Sequence, residues 1–148
     1  MKKFILGCTM IALAYTTHAQ RPRLQLDHVA LYVQNVEKSA AFYHDILGLD
    51  TIPTPFPGLP VKWFAIGGDR QLHLIQGAKE IHTPHVLQHL AFSVDSIEQL
   101  INRLTSAGIT FYDANGKAAT IQFRGDGVTQ FFIKDPDNNW IEFNNRKH

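Results

Sequence analysis

Two stretches of this chain say nearly the same thing. Leu26-Asp27-His28-Val29-Ala30-Leu31-Tyr32-Val33 reads like Leu87-Gln88-His89-Leu90-Ala91-Phe92-Ser93-Val94, and the two His are 61 residues apart. Downstream, Gln71-Leu72-His73-Leu74-Ile75 matches Trp140-Ile141-Glu142-Phe143, with His73 and Glu142 offset by 69, so the second copy is about eight residues longer. A period of this length is too long for a solenoid and points to two copies of one supersecondary unit. Three His and one Glu at matched strand positions form a metal-ligand set.

Strand side chains alternate between two faces. In the first stretch Val29, Leu31 and Val33 share one face, and His28, Ala30 and Tyr32 the other. In its repeat, Leu90, Phe92 and Val94 oppose His89, Ala91 and Ser93. Leu72 and Leu74 oppose Gln71, His73 and Ile75, while Ile141 and Phe143 oppose Trp140, Glu142 and Asn144. The apolar faces suit packing beneath amphipathic helices. All four candidate ligands therefore point away from the helices, toward a shared concave side. A carboxylate inside such a cup is costly unless it is paired or metal-bound. Singly, each of these residues reads as an ordinary polar side chain. Matched offsets, faces and residue types reverse that balance.

Between the matched strands, Asn35 caps a helix with the stripe Val36, Ala40, Tyr43 and Leu47, ending at Gly48. Ser96 with Gln99 makes a capping-box pattern for a second helix with the stripe Ile97, Leu100, Ile101 and Leu104, stopped by Gly108. Strands are expected over 49–52, 61–66 and 71–76 in the first copy. In the second they are expected over 109–112, 120–123, 128–134 and 139–143. Each unit is thus β-α-β-β-β, with 120–123 an additional short segment in the longer second copy. Four prolines between Thr51 and Pro60 mark an irregular rim, and 80–86 links the copies. His82 and His85 join His89 in a metal-like run, but read as solvated linker residues.

The first 19 residues read as a secretory signal. Lys2-Lys3 form its basic start, Phe4 to Tyr15 an apolar run too short to span a bilayer, and Thr17-His18-Ala19 the cleavage region. A lipoprotein signal at Ile5-Leu6-Gly7-Cys8 is the weaker reading, since Cys8 comes too early. The expected location is periplasmic or secreted. Residues 20–148 then make one domain, with modules at roughly 24–80 and 86–145. Loss of Lys2 and Lys3 leaves 12 basic residues against 13 acidic ones. No basic stripe argues for nucleic acid or a membrane surface. The single Cys leaves with the signal, so neither a disulfide nor a thiol nucleophile is expected.

Leu26-Asp27-His28-Val29-Ala30, Ala41-Phe42-Tyr43-His44-Asp45-Ile46-Leu47-Gly48-Leu49, Gln88-His89-Leu90-Ala91-Phe92 and Asp135-Pro136-Asp137-Asn138-Asn139-Trp140-Ile141-Glu142 together resemble the vicinal oxygen chelate superfamily. That superfamily includes glyoxalase I, methylmalonyl-CoA epimerase, fosfomycin-modifying enzymes, extradiol dioxygenases and bleomycin-binding proteins. The resemblance implies an α+β fold of two βαβββ modules, whose mixed sheets curl into a cup around one metal. The ligand positions it implies are His28, His73, His89 and Glu142, holding one divalent Zn, Ni, Co, Mn or Fe ion.

The implied chemistry is Lewis-acid catalysis, of lyase or isomerase style, on a small substrate with adjacent oxygens. Glu142 is the candidate base, and Tyr32 and Arg124 are candidate substrate contacts. Lys62 and Trp63 flank the cup. His73 departs from the pattern: glyoxalase I has Glu there and the epimerase Gln. Two alternatives stand beside this reading. One is an Fe(II) ring-cleaving dioxygenase using His28, His89 and Glu142 with His73 as acid/base. The other is a periplasmic small-molecule or antibiotic-binding protein without catalysis. A homodimer is expected. Export argues against glutathione or coenzyme A thioesters as substrates.

Overall fold

The computed structural model describes residues 23–147. The expected signal segment and Cys8 lie outside them. The first module comprises β1 (His28–Val33), α1 (Val36–Ala41), β2 (Thr51–Ile52), β3 (Val61–Ala65) and β4 (Gln71–Gln76). The second comprises β5 (His89–Ser93), α2 (Ile97–Ser106), β6 (Gln122–Phe123), β7 (Thr129–Lys134) and β8 (Trp140–Asn144). Each module makes a four-stranded mixed sheet, ordered β1-β4-β3-β2 and β5-β8-β7-β6. β1 runs parallel to β4, and β5 parallel to β8. The α+β architecture of two repeated modules is the expected one. The repeat extends to the register, since Ala30 lies opposite His73 and Ala91 lies opposite Glu142.

The caps form where their side chains predict. Asn35 Oδ1 accepts from Lys38 N at 2.9 Å, and Ser96 Oγ from Gln99 N at 3.2 Å. Gly48 and Gly108 then end their helices with φ of +79° and +73°, a left-handed turn that glycine adopts without strain. The first helix departs from its expected stripe. After Ala41 it opens into a π turn over Phe42–Ile46, where Leu47 N donates to Phe42 O. The wider turn buries Phe42 and Tyr43 side by side, while Leu47 is only half-buried.

The strand expected over 109–112 does not form; Tyr112 makes only isolated bridges, to Phe132 and Ala118. Asp113 explains this, because its Oδ1 accepts from Asn115 N and Lys117 N and turns the chain away. The strand expected over 49–52 shortens to Thr51–Ile52, and the one over 120–123 to Gln122–Phe123. No helix of the described residues is long and apolar enough to cross a membrane.

The two modules share one core. Phe64, Leu72 and Leu74 of the first sheet, and Phe131, Ile133, Ile141 and Phe143 of the second, pack with Val36, Tyr43 and Leu104 from the helices. Each such fully buried side chain contributes about 1.5–3 kcal/mol.

A polar latch joins the modules through the β7–β8 turn. Tyr43 Oη donates to Asp135 Oδ2 at 2.9 Å, Ser39 Oγ to Asp137 Oδ2 at 2.6 Å, and Gln34 N to Asp137 Oδ1 at 2.7 Å. Burial pushes the Asp135 carboxyl above the usual range, against donors from Asn139, Tyr43 and the Asp137 amide. A raised folded pKa contributes stability that is full below the ordinary Asp value and is lost as pH rises through the folded one. Tyr43→Phe removes a donor to the charged form. It is expected to cost about 1.5–3 kcal/mol in urea unfolding. The deficit should be larger at neutral pH than at about pH 4, because the folded pKa of Asp135 then rises further.

Candidate metal centre

The structure gathers the four predicted ligands as two pairs, one on each sheet. On the second sheet, His89 Nε2 stands 3.2 Å from Glu142 Oε2. His89 Nδ1 donates to Val86 O at 2.8 Å. That bond fixes the tautomer, so the neutral ring turns its Nε2 lone pair toward a carboxylate oxygen. Two lone pairs face each other only if a cation lies between them. The donor set on this sheet therefore suits a proton or a metal.

Glu142 is buried, and its other oxygen is taken: Oε1 accepts from Asn144 Nδ2 at 2.7 Å. Ala91 lies opposite Glu142, and its methyl leaves the approach open. Phe132 stands edge-on to the His89 ring at 5.3 Å.

On the first sheet, Asp27 Oδ2 accepts from His28 Nδ1 at 2.6 Å. This again leaves Nε2 bare, in the carboxylate–histidine pattern typical of metal-ligating His. His73 is built differently. Its Nε2 donates to Gln71 Oε1 at 2.8 Å, and its ring lies between Trp63 (3.9 Å, 6°) and His28 (4.4 Å, 15°). Imidazole lone pairs lie in the ring plane. Two rings stacked so nearly parallel cannot both aim at one ion. Burial, then the neighbouring His28, lowers the His73 pKa and favours the neutral ring.

Among the described residues, no three His, Cys, Asp or Glu side chains converge as a metal-holding group. Each pair stands on the helix-averted face of its own sheet. His28 and His89 keep exposure there, as do Ala30, Tyr32, Ala91 and Ser93 on the same strands.

The other candidates fall as follows. Tyr32 shares the face of His28, but its ring lies over Gly77, where an added Cβ would strike the phenol. Arg124 is engaged by Asp126 Oδ2 at 2.7 Å and Gln130 Oε1 at 3.1 Å, and its Nη1 reaches to 3.9 Å from Glu142 Oε1. Lys62 pairs with Glu37 at 3.2 Å. His82 and His85 are exposed in the linker. Sequence reasoning placed Gln71 and Asn144 on the ligand faces and Trp63 beside the cup without giving them a role, and it missed Gln130. Strand alternation was the signal for Asn144 and Gln71, each two residues from a ligand candidate. Gln130 needed the cross-strand register.

The family model described as Glyoxalase/Bleomycin resistance protein/Dioxygenase superfamily matches residues 25–143. The chain belongs to this superfamily. Its members bind small molecules, commonly use a divalent metal and often form dimers. Among curated relatives, the uncharacterized protein YwbC of Bacillus subtilis (strain 168) is 27% identical over 125 residues, covering 80% of this chain and 95% of that protein. The glutathione transferase FosA of Serratia marcescens is 27% identical over 123 residues, covering 79% and 77%. Among solved structures, the oxidase ChaP-H2 superposes with a TM-score of 0.70 at 26% identity, covering 84% of this chain and 95% of that one.

Proposed function

We propose that this superfamily member is a metal-dependent enzyme acting on a small substrate with two adjacent oxygens, and that each site draws on two copies of the chain. His28 would come from the first module of one copy, and His89 and Glu142 from the second module of the other. One observation carries the reading: His28 and His89 each have Nδ1 tied to an acceptor and Nε2 bare, and the bare Nε2 of His89 meets Glu142 Oε2. These are three single-atom donors of the kind a transition metal takes. The stack and the Gln71 bond leave His73 outside the set. A second copy explains why two half-sites stand on separate sheets with their strands still exposed. An isologous pair would build two such sites.

A divalent cation held there would supply a Lewis acid for two adjacent substrate oxygens. The chain's own part is to orient His28 through Asp27 and His89 through Val86, and to keep His73 neutral beside the site. Elemental analysis of the mature chain, grown without metal supplements, tests the reading. About one transition metal per chain is expected, and none on isolation or reconstitution overturns it.

The likeness to an oxidase, with the exclusion of His73 from the ligands, favours a second reading: oxygen chemistry at a two-His-one-carboxylate iron site. Iron in the isolated protein together with oxygen uptake on catechols would select it. Nickel, cobalt or manganese without uptake would select the lyase or isomerase style. Export, as the first 19 residues predict, argues against glutathione as co-substrate, the point where the parallel with FosA would end.

A further inference from the structure

We infer that Asn144 is a positioning residue that makes Glu142 a one-oxygen metal donor. The inference rests on the metal reading above and concerns how that site stays open. Asn144 and Glu142 are two apart on β8 and share its cup face. Asn144 Nδ2 holds Glu142 Oε1 at 2.7 Å, while Oε2 alone faces His89 Nε2. Arg124 Nη1, 3.9 Å from the same Oε1, adds positive charge on that side.

Asn144 is itself fixed. It is buried, its Oδ1 accepts from Arg146 N at 3.1 Å, and it lies opposite Gln130 in the β7–β8 register. Gln130 in turn accepts from Arg124 and donates to Gln122 Oε1 at 3.0 Å. Asn144 and Arg124 thus stand beside one oxygen of Glu142, and Gln130 with Gln122 braces Arg124.

The repeat shows that this is particular to the carboxylate half. Glu142 corresponds to His73, so Asn144 corresponds to Ile75, which offers no hydrogen bond. A free carboxylate can bind a cation through one oxygen or both. Tying Oε1 holds it to one. A substrate presenting two adjacent oxygens needs two open positions on the cation, and a second carboxylate oxygen would compete for one of them.

The test uses the full mature chain with Asn144→Leu, which keeps the size and removes the donor. Cobalt(II) is titrated against a competing chelator. Cobalt affinity is expected to change by about 10–100-fold. The visible absorption of the cobalt-loaded protein should also change, a readout that a mere loss of stability would not move. Asn144→Ser, too short to reach Oε1, should reproduce the change and serves if the Leu variant does not fold. Unchanged affinity and spectrum in a variant that folds overturn the inference while leaving the metal reading intact. Failure of the unaltered chain to bind cobalt overturns both.

Discussion

Mixed pairs of His28→Ala and Glu142→Ala chains will hold metal although neither variant holds it alone. The reason is the placement of the ligands. His28 lies on β1 of one sheet and Glu142 on β8 of the other, and among the described residues the two pairs do not converge within one chain. If a site takes His28 from one copy and His89 with Glu142 from the other, a mixed pair has one doubly broken site and one intact site. Random association of the two variants should then recover about a quarter of the unaltered metal content, as the two-fold relation between copies requires. Each variant alone should recover none. If all ligands of a site belong to one chain, the mixture recovers nothing, and the two-copy proposal fails while the metal reading stands. The measurement is metal content of co-expressed chains carrying two different tags; purification through both leaves mixed pairs alone, and these should hold about half the unaltered content. Activity, once a substrate is known, should follow the same fraction.

The repeat was legible because each copy repeats both its face pattern and its offsets. His28 and His89 occupy equivalent register positions opposite Gln71 and Trp140, and His73 and Glu142 equivalent ones opposite Ala30 and Ala91. Alternation alone placed all four on the side away from the helices. The helix caps at Asn35 and Ser96 were equally readable, because capping is a local contact. What lay beyond reach was tertiary. The latch of Asp135 and Asp137 with Tyr43 and Ser39 joins residues about a hundred positions apart, with no local pattern to announce it. The π turn at Phe42 follows from the demand to bury two adjacent aromatics, which a regular stripe cannot express. The lost strand at 109–112 follows from Asp113 capping its own turn. Nor could spacing show that His28 and His73 lie flat against each other, since a strand pattern fixes the face and leaves the ring plane open.

That last point separates two His that strand alternation treats alike. His28→Ala is expected to weaken metal binding by more than about 100-fold, beyond the loss usual for a residue that merely supports a ligand. His73→Ala is expected to weaken it by about tenfold at most. The first variant removes a bare Nε2 whose ring is oriented by Asp27 at 2.6 Å. The second removes a ring whose Nε2 already donates to Gln71, and which lies between Trp63 and His28. Its loss deprives His28 of a stacking neighbour and so relaxes the orientation of a ligand without deleting one. Gln71→Leu is the finer probe. It removes the acceptor at Nε2, allows that nitrogen to become bare, and should leave metal affinity unchanged or raise it. Affinities of the three variants, measured by chelator competition on otherwise unaltered chains, decide the matter. Equal large losses for His28→Ala and His73→Ala would mean that His73 turns out of its stack to bind, making the site a four-donor one with fewer positions left for substrate.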